Sequence, residues 1–219
     1  MPVGHHLTIG MLILAGCGQA SDAAAPKQPP PQSAAAPKRF DISGVSLGDS
    51  LAAATATLRQ KGFITSLDTG EWSFDDWVEA SRARAAGRFP SPKANGPRRL
   101  HARKGAEYIY ADIKVSADGG ILESVTYKAP ANGRPAAALV AEVTARYGRG
   151  AQLNPAMNRI CATAEPDCRK SNPQESYIQY SPGSELQISL YPGLRQMRQW
   201  TADFNAAMRK RLGPAPSSF

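Results

Sequence analysis

Residues 107–116 read EYIYADIKVS, and their alternation decides the fold class. Apolar residues occupy every second position, which is the pattern of a strand with one face in a core. The turn residues ADGG follow at 117–120, and ILESVTYKA at 121–129 predicts an antiparallel partner strand. One side of the first strand carries Ile109, Ala111, Ile113 and Val115, and the other carries Tyr108, Tyr110, Asp112 and Lys114.

Two helices are predicted before this hairpin. The first follows a cap at Asp49 or Ser50 and ends at Gly62. The second starts after Ser73, where an acid three residues later predicts a capping box. A stretch rich in proline and arginine separates the second helix from the hairpin, and no helix or strand is predicted in it.

Two more helices are predicted after the hairpin. One spans about 135–147, and the last follows residue 193 with its apolar residues on one side. Between them SYIQY and LQISLY predict two strands joined by the turn residues 181–184. The side expected to be buried in the last helix comprises Leu194, Met197, Trp200, Phe204 and Met208.

The order of these elements predicts an α+β fold, with helices packed on an antiparallel sheet. Helices are followed by hairpins, whereas a parallel sheet would alternate single strands with helices. Two loosely repeated helix-plus-hairpin units are visible, over residues 44–128 and 135–191. Their sequences are only weakly similar, so an internal duplication stays a hypothesis.

The amino terminus has the pattern of a lipoprotein signal peptide. The apolar run LTIGMLILA at 7–15 is too short to span a bilayer, and small residues precede Cys17. The sequence LAGC at 14–17 resembles the bacterial lipobox, in which the cysteine is lipidated and the chain is cleaved before it. We predict removal of residues 1–16 and lipidation of Cys17. Residues 1–6 contain no Lys or Arg, and a short buried helix is the alternative.

The following segment predicts a linker. Residues 18–38 read GQASDAAAPKQPPPQSAAAPK and contain no aromatic or β-branched side chain for a core. We therefore expect a lipidated linker over 17–39, a globular domain over 40–212 and a tail over 213–219. A linker of this composition lets the domain stand away from the membrane.

If Cys17 is lipidated, Cys161 and Cys168 remain as a pair. An oxidising compartment favours a disulfide between them, and closing this short loop contributes roughly 2.5 kcal/mol in the chain-entropy model. Two free thiols are the alternative. Two cysteines without nearby histidines provide half of a tetrahedral zinc shell, so no metal site is predicted.

A family resemblance rests on GVSLGDS at 44–50, the Ala- and Leu-rich helix ending in KGF at 61–63, and the hairpin behind a lipobox and linker. These features resemble the small outer-membrane-assembly lipoproteins of the SmpA/OmlA type. More broadly they are similar to helix-plus-sheet modules of secreted inhibitory proteins. The resemblance implies a role in envelope assembly. Glycine directly after the lipobox cysteine, here Gly18, also resembles the sequence of lipoproteins sent to the outer membrane. The inner membrane is the alternative location.

The sequence motifs that could belong to a catalytic site give little support to an enzymatic function. GVSLG at 44–48 matches the G-x-S-x-G nucleophile elbow around Ser46. The candidate base is His101, and the arginines around it disfavour a protonated imidazole. The carboxylates of residues 75–79 are typical of a first helical turn. We predict no catalytic residue and no cofactor, and serine hydrolysis through Ser46 is the residual alternative.

Positive charge is concentrated in one segment. Between residues 80 and 106 there is no acid, and the other 18 basic residues match the 18 acids of the chain, so the net charge of +8 arises here. Such a cluster attracts anionic partners, and a mobile solvated loop is the alternative. The candidate anion- or partner-binding residues are Arg82, Arg84, Arg88, Lys93, Arg98, Arg99, Arg103 and Lys104.

These observations predict a non-enzymatic, lipid-anchored binding or scaffold protein on the periplasmic side of the outer membrane. It would serve envelope assembly or maintenance. Its partner would be an unknown protein or an anionic envelope component, because export makes nucleic acid an unexpected partner. The alternative is an inhibitor or immunity protein that blocks an envelope-directed enzyme through the basic segment or the hairpin surface.

Overall fold

The computed structural model describes residues 39–154, 156–162, 168 and 173–213. The predicted signal peptide, Cys17, almost all of the linker and the tail after Gly213 lie outside the described residues. The helices are α1 Leu51–Gln60, α2 Phe74–Ala85, α3 Ala136–Tyr147 and α4 Leu194–Leu212. The strands are β1 Ile64–Glu71, β2 Gly96–Lys104, β3 Glu107–Lys114, β4 Ile121–Pro130, β5 Ala151–Asn154, β6 Met157–Cys161, β7 Tyr177–Ser181 and β8 Glu185–Tyr191.

The strands form one antiparallel sheet in the order β1-β2-β3-β4-β8-β7-β6-β5. The α+β class with an antiparallel sheet is therefore confirmed. Each half is a four-stranded meander, and the halves meet where Thr126 of β4 pairs with Ser189 of β8. In each half the strands follow chain order from the outer edge to the centre of the sheet, β1 to β4 on one side and β5 to β8 on the other. Each predicted helix-plus-hairpin unit, over residues 44–128 and 135–191, contains four strands rather than two.

The core lies on one face of this sheet. A row of buried apolar side chains crosses six strands, and α1 and α3 cover it. Helix α1 contributes Leu58, and α3 contributes Leu139 and Val143. The row consists of Leu100, Ala111, Val125, Leu190, Ile178 and Ile160.

The predicted starts of α1 and α2 are confirmed. Ser50 caps α1 by accepting from the Ala53 amide at 3.2 Å. Ser73 and Asp76 form the expected capping box on α2. Local side-chain chemistry fixes both helix starts because the first amides of a helix have no partner within it.

Helix α4 is less buried than its pattern predicts. None of its residues is fully buried, and Met197 is 40% exposed. Trp200 packs against the core beside Gly48, and Phe204 contacts Phe74 of α2 with ring centroids 5.6 Å apart. Helix α4 therefore touches the core through Trp200 but does not bury its whole apolar side as predicted.

Four strands were not predicted. Gly96–Lys104, in the stretch rich in proline and arginine, forms β2 and pairs with a strand on each side. The edge strands β1 and β5 and the short strand β6 were also missed. No helix in the described part of the chain combines the length and apolarity needed to cross a membrane.

Candidate functional site

The sheet face opposite the core carries polar and aromatic side chains. Residues paired across strands share a face, so the register defines rows that run across the sheet. Helices α1 and α3 pack on the other side. We call this surface the polar face. Its middle row is His101, Tyr110, Thr126, Ser189, Gln179 and Arg159, and its flanking rows include Arg99, Arg103, Tyr108, Asp112, Ser124, Lys128, Tyr177, Gln187 and Tyr191.

Hydrogen bonds hold the centre of the polar face in place. Thr126 Oγ1 donates to Ser189 Oγ at 2.9 Å, and both residues are buried. Ser124 Oγ donates to Asp112 at 2.8 Å, and the Asp112 carboxylate pairs with Arg99 at 2.6 Å. The Asp112 carboxylate raises the pKa of Arg99. Side chains held by such contacts lose little conformational freedom when a partner binds.

Arginines stack on tyrosines at two places on the polar face. The Arg99 guanidinium lies 5.2 Å from the Tyr110 ring centroid. The Arg159 guanidinium lies 4.6 Å from the ring of Tyr177, which in turn contacts Tyr191 at 5.4 Å between centroids. Burial raises the pKa of the Tyr177 phenol above its ordinary value. Tyrosine and arginine are the residues that dominate many protein interfaces.

His101 joins three strands at the β1 side of the polar face. Its Nε2 lies 2.7 Å from Asp68 Oδ2 on β1, and its Nδ1 contacts the hydroxyl of Tyr108 on β3. The hydrogen bond with His101 lowers the pKa of Asp68 below its usual 3.8. Both ring nitrogens are therefore engaged within the polar face.

Ser46 does not meet the predicted base. It is 6% exposed, and its amide donates to Asp49 at 2.7 Å. Helix α1 begins only at Leu51, whereas a nucleophile elbow places the serine on the turn into the helix. His101 is bonded to other residues, so the structure does not assemble the serine–histidine pair.

A pocket of about 690 Å³ lies at one corner of the polar face. We call it the corner pocket. Arg99, Asp112, Lys114 and Glu123 line it from the sheet, and Lys114 pairs with Glu123 at 3.4 Å. Its aromatic wall is Trp72, Trp77 and Phe204.

Irregular strand pairing shapes the corner pocket. Arg98 on β2 is an extra residue between two pairs of the β1–β2 register, and Glu123 is extra in β4. Such bulges bend a strand and redirect side chains. Both residues line the corner pocket, so the sheet corner presents one further cation and one further acid beside the aromatic wall.

The eight basic residues occupy three different places. Arg82 and Arg84 lie on α2, Arg88 and Lys93 lie in the connection after it, and four lie on β2. The mobile-loop alternative is wrong for these four. Of the eight, the structure brings Arg99 and Arg103 onto the polar face and Arg98 to its corner, whereas Lys104 donates to the Lys61 carbonyl near α1. The set is therefore not one continuous patch.

The predicted disulfide between Cys161 and Cys168 is confirmed, with the Cα atoms 5.9 Å apart. Arg159 Nη1 donates to the Cys168 carbonyl at 3.0 Å. The disulfide thus holds Cys168 next to Arg159, at the end of the middle row.

The sequence named the hairpin surface only as an alternative contact and did not predict the wider polar face. Alternation placed Tyr108 and Tyr110 on the outer side of β3, but nothing local showed that β4 pairs with β8 and brings Tyr177 and Tyr191 onto the same surface. Within the described ranges, no group of three or more His, Cys, Asp or Glu residues could hold a metal ion. No protein-family model, curated protein or solved structure matches the chain.

Proposed function

We propose that this chain is a lipid-anchored periplasmic binding or scaffold protein that holds a partner against its polar face. The observation that carries the proposal is this wide surface of tyrosines, arginines and fixed polar groups. Strand spacings of about 4.8 Å make the eight-stranded sheet about 34 Å wide. With strands about 17 Å long, the area is roughly 600 Å², close to the ~800 Å² that each partner buries in a standard interface.

The anchor part of the proposal rests on the sequence LAGC and on the linker behind it. Two or more acyl chains on Cys17 would retain the protein at a membrane, which one chain does not do stably. Gly18 favours the outer membrane, with the inner membrane as the alternative. Envelope assembly or maintenance is the process that this location and the family resemblance support.

The partner proposed for the polar face is a protein with an acidic, hydrogen-bonding surface. Arg99 and Arg103 lie on this face, and the Asp112 carboxylate offsets part of their charge. Electrostatic attraction from the remaining cations would speed association with an acidic partner. Anionic envelope groups are the second class of partner.

An inhibitor of an envelope-directed enzyme is a second candidate function for the same surface. The observation that favours it is the hydrogen-bonded centre of the polar face, where Thr126, Ser189 and Ser124 have fixed partners. Inhibitors bind tightly when little ordering is required on binding. Stoichiometric loss of a cell-wall hydrolase activity would support this candidate, and unchanged activity would exclude it for that enzyme.

Site-specific photocrosslinking in living cells tests the binding surface. A photoreactive residue is placed at Gln187 or Tyr110 on the polar face, and at Ala145 on α3 as the control. Ala145 is exposed and lies on a helix that packs on the opposite face. We expect one protein to be captured from both polar-face positions and not from Ala145. Equal capture from Ala145, or none from either polar-face position, contradicts the proposal.

Labelling with radioactive palmitate tests the anchor separately. The wild-type chain is expected to incorporate the label, because acylation occurs at the lipobox cysteine. Cys17→Ser should abolish the label, whereas the control Cys161→Ser should keep it. Label that persists in Cys17→Ser would show that the anchor has been assigned to the wrong residue.

A further inference from the structure

Strand β1 is an edge strand whose outer side faces away from β2. It pairs with β2 alone in the sheet order. Its sequence ITSLDTGE has no lysine or proline, which commonly protect such edges. Ile64 is 82% exposed and Leu67 is 45% exposed. The strand therefore offers main-chain groups and apolar side chains to an added strand.

Only the first part of β1 has regular geometry. Its register with β2 is continuous from Ile64 to Asp68 and shifts at Thr69 and again before Glu71. Bulges twist an edge away from further pairing. An added strand would therefore align with residues 64–68.

A groove of about 680 Å³ runs beside this regular part, between α1 and β1. We call it the edge groove. Between Leu51 and Arg59, the residues of α1 that line it have short side chains, which leaves space for side chains of an added strand. Its lining includes Ala52, Thr55 and Ala56 of α1, Thr65 and Leu67 of β1, and Leu100 of β2.

Charge is distributed unevenly along the edge groove. At the Ile64 end, Arg59 lines the groove and its Nε donates to Thr65 Oγ1 at 2.8 Å. At the other end the groove is lined by Asp118. The carboxyl end of a strand added antiparallel to β1 lies at the Ile64 end, so its terminal carboxylate would lie next to Arg59.

We infer that the edge groove binds the extended carboxyl-terminal segment of another polypeptide, added antiparallel to β1. Main-chain hydrogen bonds to residues 64–68 give affinity, and alternate apolar side chains enter the groove, as in other cases of strand addition. Arg59 binds the terminal carboxylate. This site is separate from the polar face, and its occupant is a peptide end rather than a folded surface.

The test selects ligands from a displayed library of seven-residue peptides with free carboxyl ends, using the full chain purified in detergent. The most enriched peptide is then synthesised with a free carboxyl end and with an amidated end. We expect apolar residues at alternate positions, and about tenfold weaker binding of the amidated peptide. Arg59→Gln should weaken binding of the free acid and leave binding of the amide unchanged.

A matched pair of substitutions on α1 checks the location. Ala56→Phe fills the edge groove and should abolish peptide binding. Ala53→Phe is the same change at an exposed position of α1 outside the groove lining, and it should bind like the wild type. Thermal unfolding of both variants shows whether each remains folded.

Several results would overturn the inference. No enrichment over the Ala56→Phe protein means that the groove takes no peptide. Equal binding of acid and amide removes the role of the carboxylate. A wild-type dimer in sedimentation equilibrium that Ala56→Phe dissociates would show that a second copy of the chain occupies the edge. Because photocrosslinking from Gln187 reports on another surface, failure here leaves the polar-face proposal intact.

Discussion

Polar side chains at the centre of the polar face depend on residues of other strands for their hydrogen bonds. Thr126 and Ser189 are far apart in sequence and bond to each other at the centre of the sheet. Replacing Ser189 by Ala would leave the Thr126 hydroxyl buried without this partner, which costs about 1–3 kcal/mol, whereas Ser189 Oγ also accepts from Gln187 Nε2 at 3.4 Å. The same dependence applies at α2, where Ser73 and Asp76 bond reciprocally.

The capping box gives a pH-dependent prediction for Asp76. Hydrogen bonds from the Ser73 side chain and amide lower the pKa of Asp76 below 3.8. Stabilisation from this carboxylate is present above pH 3.8 and is lost as the pH falls through the lowered pKa. Carboxyl ¹³C NMR should therefore give a titration midpoint for Asp76 below 3.8, and Ser73→Ala should move it upward.

Ser81→Ala is the matched control for that titration. Ser81 lies on the same helix and donates to the Trp77 carbonyl at 2.9 Å, so it takes no part in the cap. The Asp76 midpoint should not change in this variant. An unchanged midpoint in Ser73→Ala would show that the capping box does not set the pKa of Asp76.

At the scale of elements, local signals predicted some parts of the chain and not others. The cap at Ser50 and the alternation of residues 107–116 are local, and the expected helix and strand are found there. Strand β2 carries Pro97 and several arginines, so its two inward residues, Leu100 and Ala102, gave too short an apolar pattern to predict a strand. Strand β1 lies at the edge and is mostly exposed, and such a strand has little apolar alternation. Both β1 and β2 form because they pair with neighbouring strands, and the local sequence does not reveal this pairing.

The disulfide gives a prediction for the loop between β6 and β7. Opening it by Cys161→Ser together with Cys168→Ser should lower the free energy of unfolding by about 2.5 kcal/mol, because the unfolded chain gains conformational freedom. Urea denaturation of the purified full chain measures this change. Reduction of the wild type should shift the midpoint in the same direction, and an unchanged midpoint after full reduction would contradict the prediction.

At the scale of the whole molecule, the sheet order creates the candidate site. The antiparallel class followed from the sequence, but the meeting of β4 and β8 at the centre did not, because it joins segments about sixty residues apart. This meeting places the tyrosines of both halves on one surface. The basic segment alone gave a misleading outline of the candidate site, because half of its eight basic residues lie outside β2.

The central claim is that the polar face, held near a membrane by Cys17, is the binding surface of this protein. The most direct measurement is the yield of the crosslinked partner from Gln187 on β8 in cells, with and without Tyr110→Ala on β3. We expect the yield to fall by about tenfold, because tyrosines at interface centres contribute about 1–3 kcal/mol. Ala141→Ser, at an exposed position of α3, should leave the crosslinking yield unchanged. The same yield with and without Tyr110→Ala would contradict the claim.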